Sequence, residues 1–184
     1  MKKLICVSLS IAMLITSLFV PSAFAADEGV EQAILTAKNL LDISDDRYVI
    51  DEFSQNGEDY NLSWKNRDES VLDGISATVS GGEITSYYKN YERDYDRMKF
   101  PTVAKEDAQA KAESFLAKVC PTVFENMKIE RSNFERYAGG TYTFTYTRYY
   151  DGVPVRDQET YVEVAADSGE VVGFNTNYDR NLTF

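Results

Sequence analysis

Apolar residues recur along this chain with two periods, and the switch from one to the other happens twice. From about residue 30 to residue 43, Val30, Ala33, Ile34, Ala37, Leu40 and Leu41 follow the i, i+3, i+4, i+7 stripe of a helix with one buried face. Ala108, Ala112, Phe115, Leu116 and Val119 repeat that stripe and predict a second helix. Pro121 stops it, because proline has no N–H to donate and clashes with the preceding turn. Its start near Ala104 has no side chain suited to capping. After each helix the period falls to 2. Tyr60, Leu62 and Trp64 alternate with polar residues, and so do Tyr142, Phe144 and Tyr146. Ile75, Ala77 and Val79 lead through Gly81 and Gly82 into 84–88, which predicts a hairpin. A counterpart runs from Tyr161 through Asp167, Ser168 and Gly169 to Phe174. Asp151 and Gly152 predict another turn, between 142–150 and a strand after Pro154.

The order helix, then strands, is therefore written twice. Glu31, Ala33, Ala37, Leu40 and Leu41 are answered 75 residues later by Glu106, Ala108, Ala112, Phe115 and Leu116. Gly82, Glu83 and Ile84 are answered 87 residues later by Gly169, Glu170 and Val171, and Tyr95, Asp96 and Arg97 are answered 83 residues later by Tyr178, Asp179 and Arg180. Constant order, with later offsets larger than the first, is what lengthened loops between fixed elements produce. The expected fold class is α+β: two tandem units, each one helix packed on a three- to four-stranded antiparallel sheet. The units are placed at 26–98 and 99–184, with a polar, tyrosine-rich joint over 89–101. The pattern fits a two-unit protein and a piece of a longer array equally.

The first 25 residues carry a different signal. Lys2 and Lys3 precede an almost unbroken apolar run from Leu4 to Val20, and Ala23, Phe24 and Ala25 form a small-x-small cleavage pattern. This predicts a signal peptide over 1–25, cut between Ala25 and Ala26. A membrane span needs roughly 20 apolar residues, and Pro21 interrupts a run already too short. Cys6 lies too early, among the wrong neighbours, to be a lipid-modified cysteine. Cleavage would take the formal net charge from −11 to −13, two lysines and no acid being lost. Such acidity repels phosphate backbones, so nucleic acid is excluded as an expected partner. It also repels anionic lipid and anionic wall polymers unless cations bridge them. Cys120 would remain as the single cysteine, so no intrachain disulfide is expected and the core must be apolar. Its place before Pro121, ending an amphipathic run, suggests a buried and inert thiol.

The chain contains no histidine. That removes the usual general base of serine and cysteine hydrolases and the usual imidazole zinc site. Gly81 and Gly82 read as a turn, and no Gly-rich phosphate loop occurs. Among the 30 acids some carboxylate pair will always resemble a hydrolytic acid and base, so such a pair carries little weight. Asp42, Asp45 and Asp46 resemble the opening of a calcium loop. However, Arg47 stands where glycine is needed and Phe53 where the bidentate glutamate belongs, so a helix cap and turn is the better account. No catalytic, cofactor-binding or metal-ligating residue is nominated. The 13 tyrosines cluster at Tyr87 and Tyr88, at Tyr91 and Tyr95, and at Tyr146, Tyr149 and Tyr150. Clusters of this kind place aromatics on both faces of a strand. Packing within and between units is weighted above the other reading, an exposed platform for peptide or glycan.

The second unit resembles the YcdB/YcdC repeated domain of secreted and S-layer-associated proteins of Gram-positive bacteria. The residues that carry the likeness are Phe144, Tyr146, Arg148, Gly152, Pro154 and Val155, followed by Val162, Val164, Asp167, Gly169, Glu170 and Val171. Tyr60, Leu62 and Trp64, with the hairpin around Gly82, Glu83 and Ile84, are similar in the first unit. More distantly the pattern is similar to PepSY domains and to propeptides of thermolysin-type metalloproteases. The resemblance implies a helix-on-antiparallel-sheet fold. The repeat, the signal segment, the missing catalytic groups and the possible exposed aromatics point to a secreted or cell-wall-associated, non-enzymatic module that binds protein or cell-envelope components, with no cofactor expected. The alternative, implied by the PepSY and propeptide resemblance, is an inhibitor or chaperone of a secreted peptidase. The expected partner is an unknown protein or wall-associated component, with no membrane span once the signal peptide is gone.

Overall fold

The computed structural model describes residues 28–90, 100–135 and 140–183. The expected signal peptide over 1–25, with its expected Ala25 and Ala26 junction, and the joint residues Tyr91, Tyr95, Asp96 and Arg97 lie outside the described residues.

Helix α1 spans Glu28–Leu41 and buries Val30, Ala33 and Ala37, the centre of the predicted stripe. Glu28 and Glu31 in its first turn and Lys38 in its last complement the helix dipole. It ends where Asp42 turns left-handed (φ 55°) and the Ile43 N–H reaches back 3.0 Å to the Lys38 carbonyl. That is a Schellman closure, and it drops Ile43 into the core. Helix α2, Lys105–Val119, buries Ala108, Ala112, Leu116 and Val119; its start at Ala104 has no side-chain cap. Pro121 ends α2 and opens a four-residue turn of helix, α3, Pro121–Phe124.

Four strands follow each helix. They are β1 Tyr48–Asn56, β2 Asp59–Asn66, β3 Gly74–Ser80 and β4 Glu83–Asn90, then β5 Met127–Glu135, β6 Thr141–Tyr150, β7 Val153–Ala165 and β8 Val171–Thr176. The three predicted turns are observed. Gly81 and Gly82 (φ 58° and 80°) join β3 to β4, and Asp151 and Gly152 (φ 48° and 81°) join β6 to β7. Positive φ at both central positions matches the turn to strand twist. Gly169 (φ 69°) lies in the turn between β7 and β8.

The α+β class is observed, but the expected pair of three- to four-stranded sheets is not. All eight strands form one antiparallel sheet in the order β1-β2-β3-β4-β8-β7-β6-β5. The join is β4 against β8, with Ser86 opposite Asn175, Tyr87 opposite Phe174 and Tyr88 opposite Gly173. Two sheets would leave both inner strands with unpaired backbone groups. Fusing them satisfies those groups and continues the apolar layer across the seam. The second helical segment is also not single, because α3 follows α2.

Both long helices lie on the same face of the sheet. Helix α1 packs on β2, β3 and β4, α2 packs on β6, β7 and β8, and the two helices touch. Beneath them runs a buried layer that includes Leu62, Trp64, Ala77, Ile84, Tyr87, Phe174, Val162, Phe144 and Tyr146. Phe115 of α2 seals the seam, its ring 5.6 Å from Tyr87 and 5.7 Å from Phe174. Among the described residues no helix is long and apolar enough to cross a membrane.

Candidate functional site

Among the described residues no helix covers the second face of the sheet, and the strand register specifies what that face displays. Directly paired residues share a face, and so do residues two apart. Positions flanking the buried row Leu62, Ala77, Tyr87, Phe174, Val162 and Phe144 therefore point away from the helices. They form two rows that cross every strand. One runs Glu52, Ser63, Ser76, Tyr88, Gly173, Glu163, Thr143, Asn133. The other runs Ser54, Asn61, Thr78, Ser86, Asn175, Tyr161, Thr145, Arg131.

These rows are dominated by hydroxyl and amide groups. Charge enters only at Glu52, Glu163 and Arg131, in a chain of net charge −11. Thr78 Oγ1 donates to Asn61 Oδ1 at 2.9 Å. Arg131 Nε donates to Thr145 Oγ1 at 3.3 Å, and Tyr161 donates to Glu159. Over the first four strands the face holds a hollow of about 250 Å³, lined by Ser54, Asn61, Ser63, Ser76, Thr78, Ser86 and Tyr88 with Glu52 and Phe53. Tyr88 is 45% exposed.

The outer edges of the sheet are β1 and β5, and both are interrupted at the matching place. Pairing jumps from Ile50 to Glu52 in β1 and from Ile129 to Arg131 in β5, so Asp51 and Glu130 are extra residues. Each ties back to the neighbouring strand, Asp51 to Lys65 at 3.0 Å and Glu130 to the Thr147 hydroxyl. A bulge with a charged residue disrupts the row of free N–H and C=O groups that an added strand would need.

The other residues singled out in the sequence fall into structural places. Cys120 is fully buried, and burial pushes its thiol up from 9.0 to about 12, so it is protonated and inert. The acidic segment after α1 is a turn: Asp45 holds Lys38 at 2.5 Å and Asp42 holds Lys118 at 2.7 Å. Among the described residues no three His, Cys, Asp or Glu side chains converge as a metal site requires. The tyrosine clusters divide between the faces. Tyr87 and Tyr146 are in the core, where burial raises their hydroxyl pKa, whereas Tyr88 and Tyr150 are exposed.

Two carboxylates missed by the sequence reading are structural anchors. Asp73, on the loop before β3, is buried and accepts from Arg47 and from the Tyr48 hydroxyl at 2.8 Å. Burial first, and then Asp73, push Tyr48 up to about 12. Glu83, at the start of β4, accepts from Arg180 at 2.6 Å and from the Thr122 N–H at 3.1 Å. Burial alone would raise the Glu83 carboxyl, but the hydrogen bonds from Arg180 and Thr122 outweigh it and hold the group below its ordinary range. The Gly, Glu, Ile repeat at 82–84 was visible; its partner 97 residues away was not.

Comparison with known proteins agrees with this architecture. Residues 30–178 match the family described as the YcdB, YcdC repeated domain. Among solved structures the fold is similar to the Bacillus megaterium YpeB C-terminal domain. That likeness has a TM-score of 0.62 and 19% identity, and covers 86% of this chain and 69% of that one. No curated protein matches in sequence.

Proposed function

Because this chain belongs to the YcdB/YcdC repeated-domain family, we propose that it is a secreted, non-enzymatic module that binds protein or cell-envelope components. In this reading the chain is two tandem PepSY-like repeats, 26–98 and 99–184, each contributing four strands to the shared sheet, with α1 from the first and α2 and α3 from the second. Residues 1–25 direct export and are removed between Ala25 and Ala26, leaving the module extracellular or wall-associated.

The observation that supports the reading is the broad sheet face that no helix covers among the described residues, rich in hydroxyl and amide groups and furnished with Tyr88 and Tyr161. The two edges, blunted by Asp51 and Glu130, favour recognition by the face over recognition by strand addition. Among the described residues the carboxylates with displaced ionisation, Asp68 and Glu83, are both shifted toward the charged form, the opposite of what a general acid needs.

The test is affinity capture by the purified protein from the producing cell's secreted fraction and isolated walls, read by mass spectrometry and wall-sugar analysis. Enrichment of a surface protein or wall polymer is the expected result. Selective capture of a peptidase, together with slowing of that peptidase, would move the assignment to an inhibitor or chaperone. Turnover of a captured component, abolished by a single carboxylate substitution, would overturn the non-enzymatic reading. Protein recovered from the culture medium should begin at Ala26.

A further inference from the structure

We propose that the uncovered face is a track for an extended, neutral glycan strand that lies across the β-strands. The proposal rests on the binding reading above and specifies its ligand.

The two outward rows cross all eight strands, from Glu52 and Ser54 on β1 to Asn133 and Arg131 on β5. Seven inter-strand spacings make that track roughly 34 Å long. Its geometry argues for a polymer that meets the face through side chains. The backbone N–H and C=O groups beneath it are consumed by strand pairing, so a peptide laid across the strands finds no backbone partners there. A peptide added along an edge meets the bulges at Asp51 and Glu130.

The chemistry of the rows fits sugar. Ser63, Ser76, Thr78, Ser86 and Asn61 offer short donors and acceptors that match hydroxyl and acetamido groups. Tyr88 and Tyr161 stand on either side of β8, opposite Gly173 and Asn175 respectively, and offer ring faces to the C–H faces of sugar rings. The hollow of about 250 Å³ beside Tyr88 gives one ring a recess on the first half of the track. The rows carry two acids, Glu52 and Glu163, and one base, Arg131, on separate strands, so they offer neither an anionic nor a cationic polymer a run of opposite charge, while the net charge of −11 repels anionic polymers from the molecule as a whole.

The two halves contribute matched but non-identical stretches. Glu52, Ser63, Ser76 and Tyr88 occupy the strand positions that Arg131, Thr145, Tyr161 and Asn175 occupy in the second half, reversed across the seam. A chain of repeating sugars is the ligand that a repeated, linear surface suits.

The experiment is titration calorimetry of the purified protein with chitohexaose, cellohexaose and polyglycerol phosphate, with Tyr88→Ala and Ser76→Lys as face variants. Leu35→Ala, on the exposed side of α1, serves as control. Binding of a neutral hexaose, weakened about tenfold by Tyr88→Ala and by Ser76→Lys and unchanged by Leu35→Ala, is the expected result. Unchanged melting temperatures would show that the variants remain folded. Hexaose binding that both face variants leave intact would overturn the track. So would binding confined to polyglycerol phosphate, or protein capture from the secreted fraction with no binding of either neutral hexaose; that last result would leave the binding module standing. Failure to capture anything from walls or secreted fraction would remove the module reading itself.

Discussion

Phe115→Ala tests whether the two sets of four strands are one folding unit. Phe115 stands on α2, in the second half of the chain, but its ring touches Tyr87 of β4 at 5.6 Å and Phe174 of β8 at 5.7 Å. A fully buried Phe→Ala change costs about 3–5 kcal/mol. Phe115 is only partly buried and borders a hollow of about 310 Å³ with Leu40, Leu41 and Tyr87. Two aromatic contacts worth about 0.5–1.5 kcal/mol each, plus part of the apolar burial, give an expected cost of about 2–3 kcal/mol. For a chain of this size that lowers Tm by about 4–12 °C. Urea unfolding should be followed by two probes. Fluorescence reports Trp64, the single tryptophan, which is buried in β2 of the first half; far-UV circular dichroism reports the whole sheet. If the seam makes one cooperative unit, both curves shift together by the same amount, with unchanged slope. A dichroism curve that moves or splits while the Trp64 curve stays in place would refute the reasoning. The β4 to β8 pairing would then be a contact between two independently folding halves.

Leu116, one residue further on and 1% exposed, should cost about 2.7–5 kcal/mol on truncation to Ala, and a shift in urea midpoint worth under about 0.5 kcal/mol would show that its face is not in the core. Gly152→Val should lower stability by about 1–3 kcal/mol, because Gly152 sits at φ 81° with open space around it, so backbone strain alone is at issue; an unchanged melting temperature would contradict that. Alkaline pH should weaken the fold. Cys120, moved from 9.0 to about 12, and Tyr48, moved from 10.0 to about 12, bind protons more tightly folded than unfolded. Their contribution is complete below pH 9 and is lost as pH rises toward 12, so urea midpoints should decline from pH 8 to 10.5, less steeply in Cys120→Ala. Glu83→Gln should cost about 1–2 kcal/mol at pH 7 and progressively less as pH falls below 4.5, since the carboxyl held low by Arg180 and Thr122 stabilises only when ionised; an equal cost at pH 4 and pH 7 would sink that account.

Much of the local structure was legible because one-sided burial leaves a periodic trace. The stripe at Ala108, Ala112, Leu116 and Val119 could only be a helix lying on something apolar, and it does. The alternation Tyr142, Phe144, Tyr146 likewise fixed which side of β6 faces inward. The edge strands β1 and β5 left no such trace. Most of their residues are exposed, and the bulges at Asp51 and Glu130 shift the phase of alternation midway, so a period of 2 never accumulates. For the candidate site, the tyrosine clusters and the possibility of an exposed aromatic platform could be read directly. Which tyrosines form it could not. Tyr87 and Tyr88 are neighbours in sequence, and one is sealed under Phe115 while the other looks outward.

The family likeness, the helix faces and the turns at Gly81, Gly82 and Gly152 could be read from the amino-acid sequence, since each depends on residues close together along the chain. That eight strands make one sheet, that Glu83 meets Arg180 and Thr122, and that two polar rows align across that sheet emerge only once the chain is folded. Strand pairing uses backbone groups that nearly every residue offers alike, so the choice of β8 as the neighbour of β4 is settled by how whole apolar layers fit together.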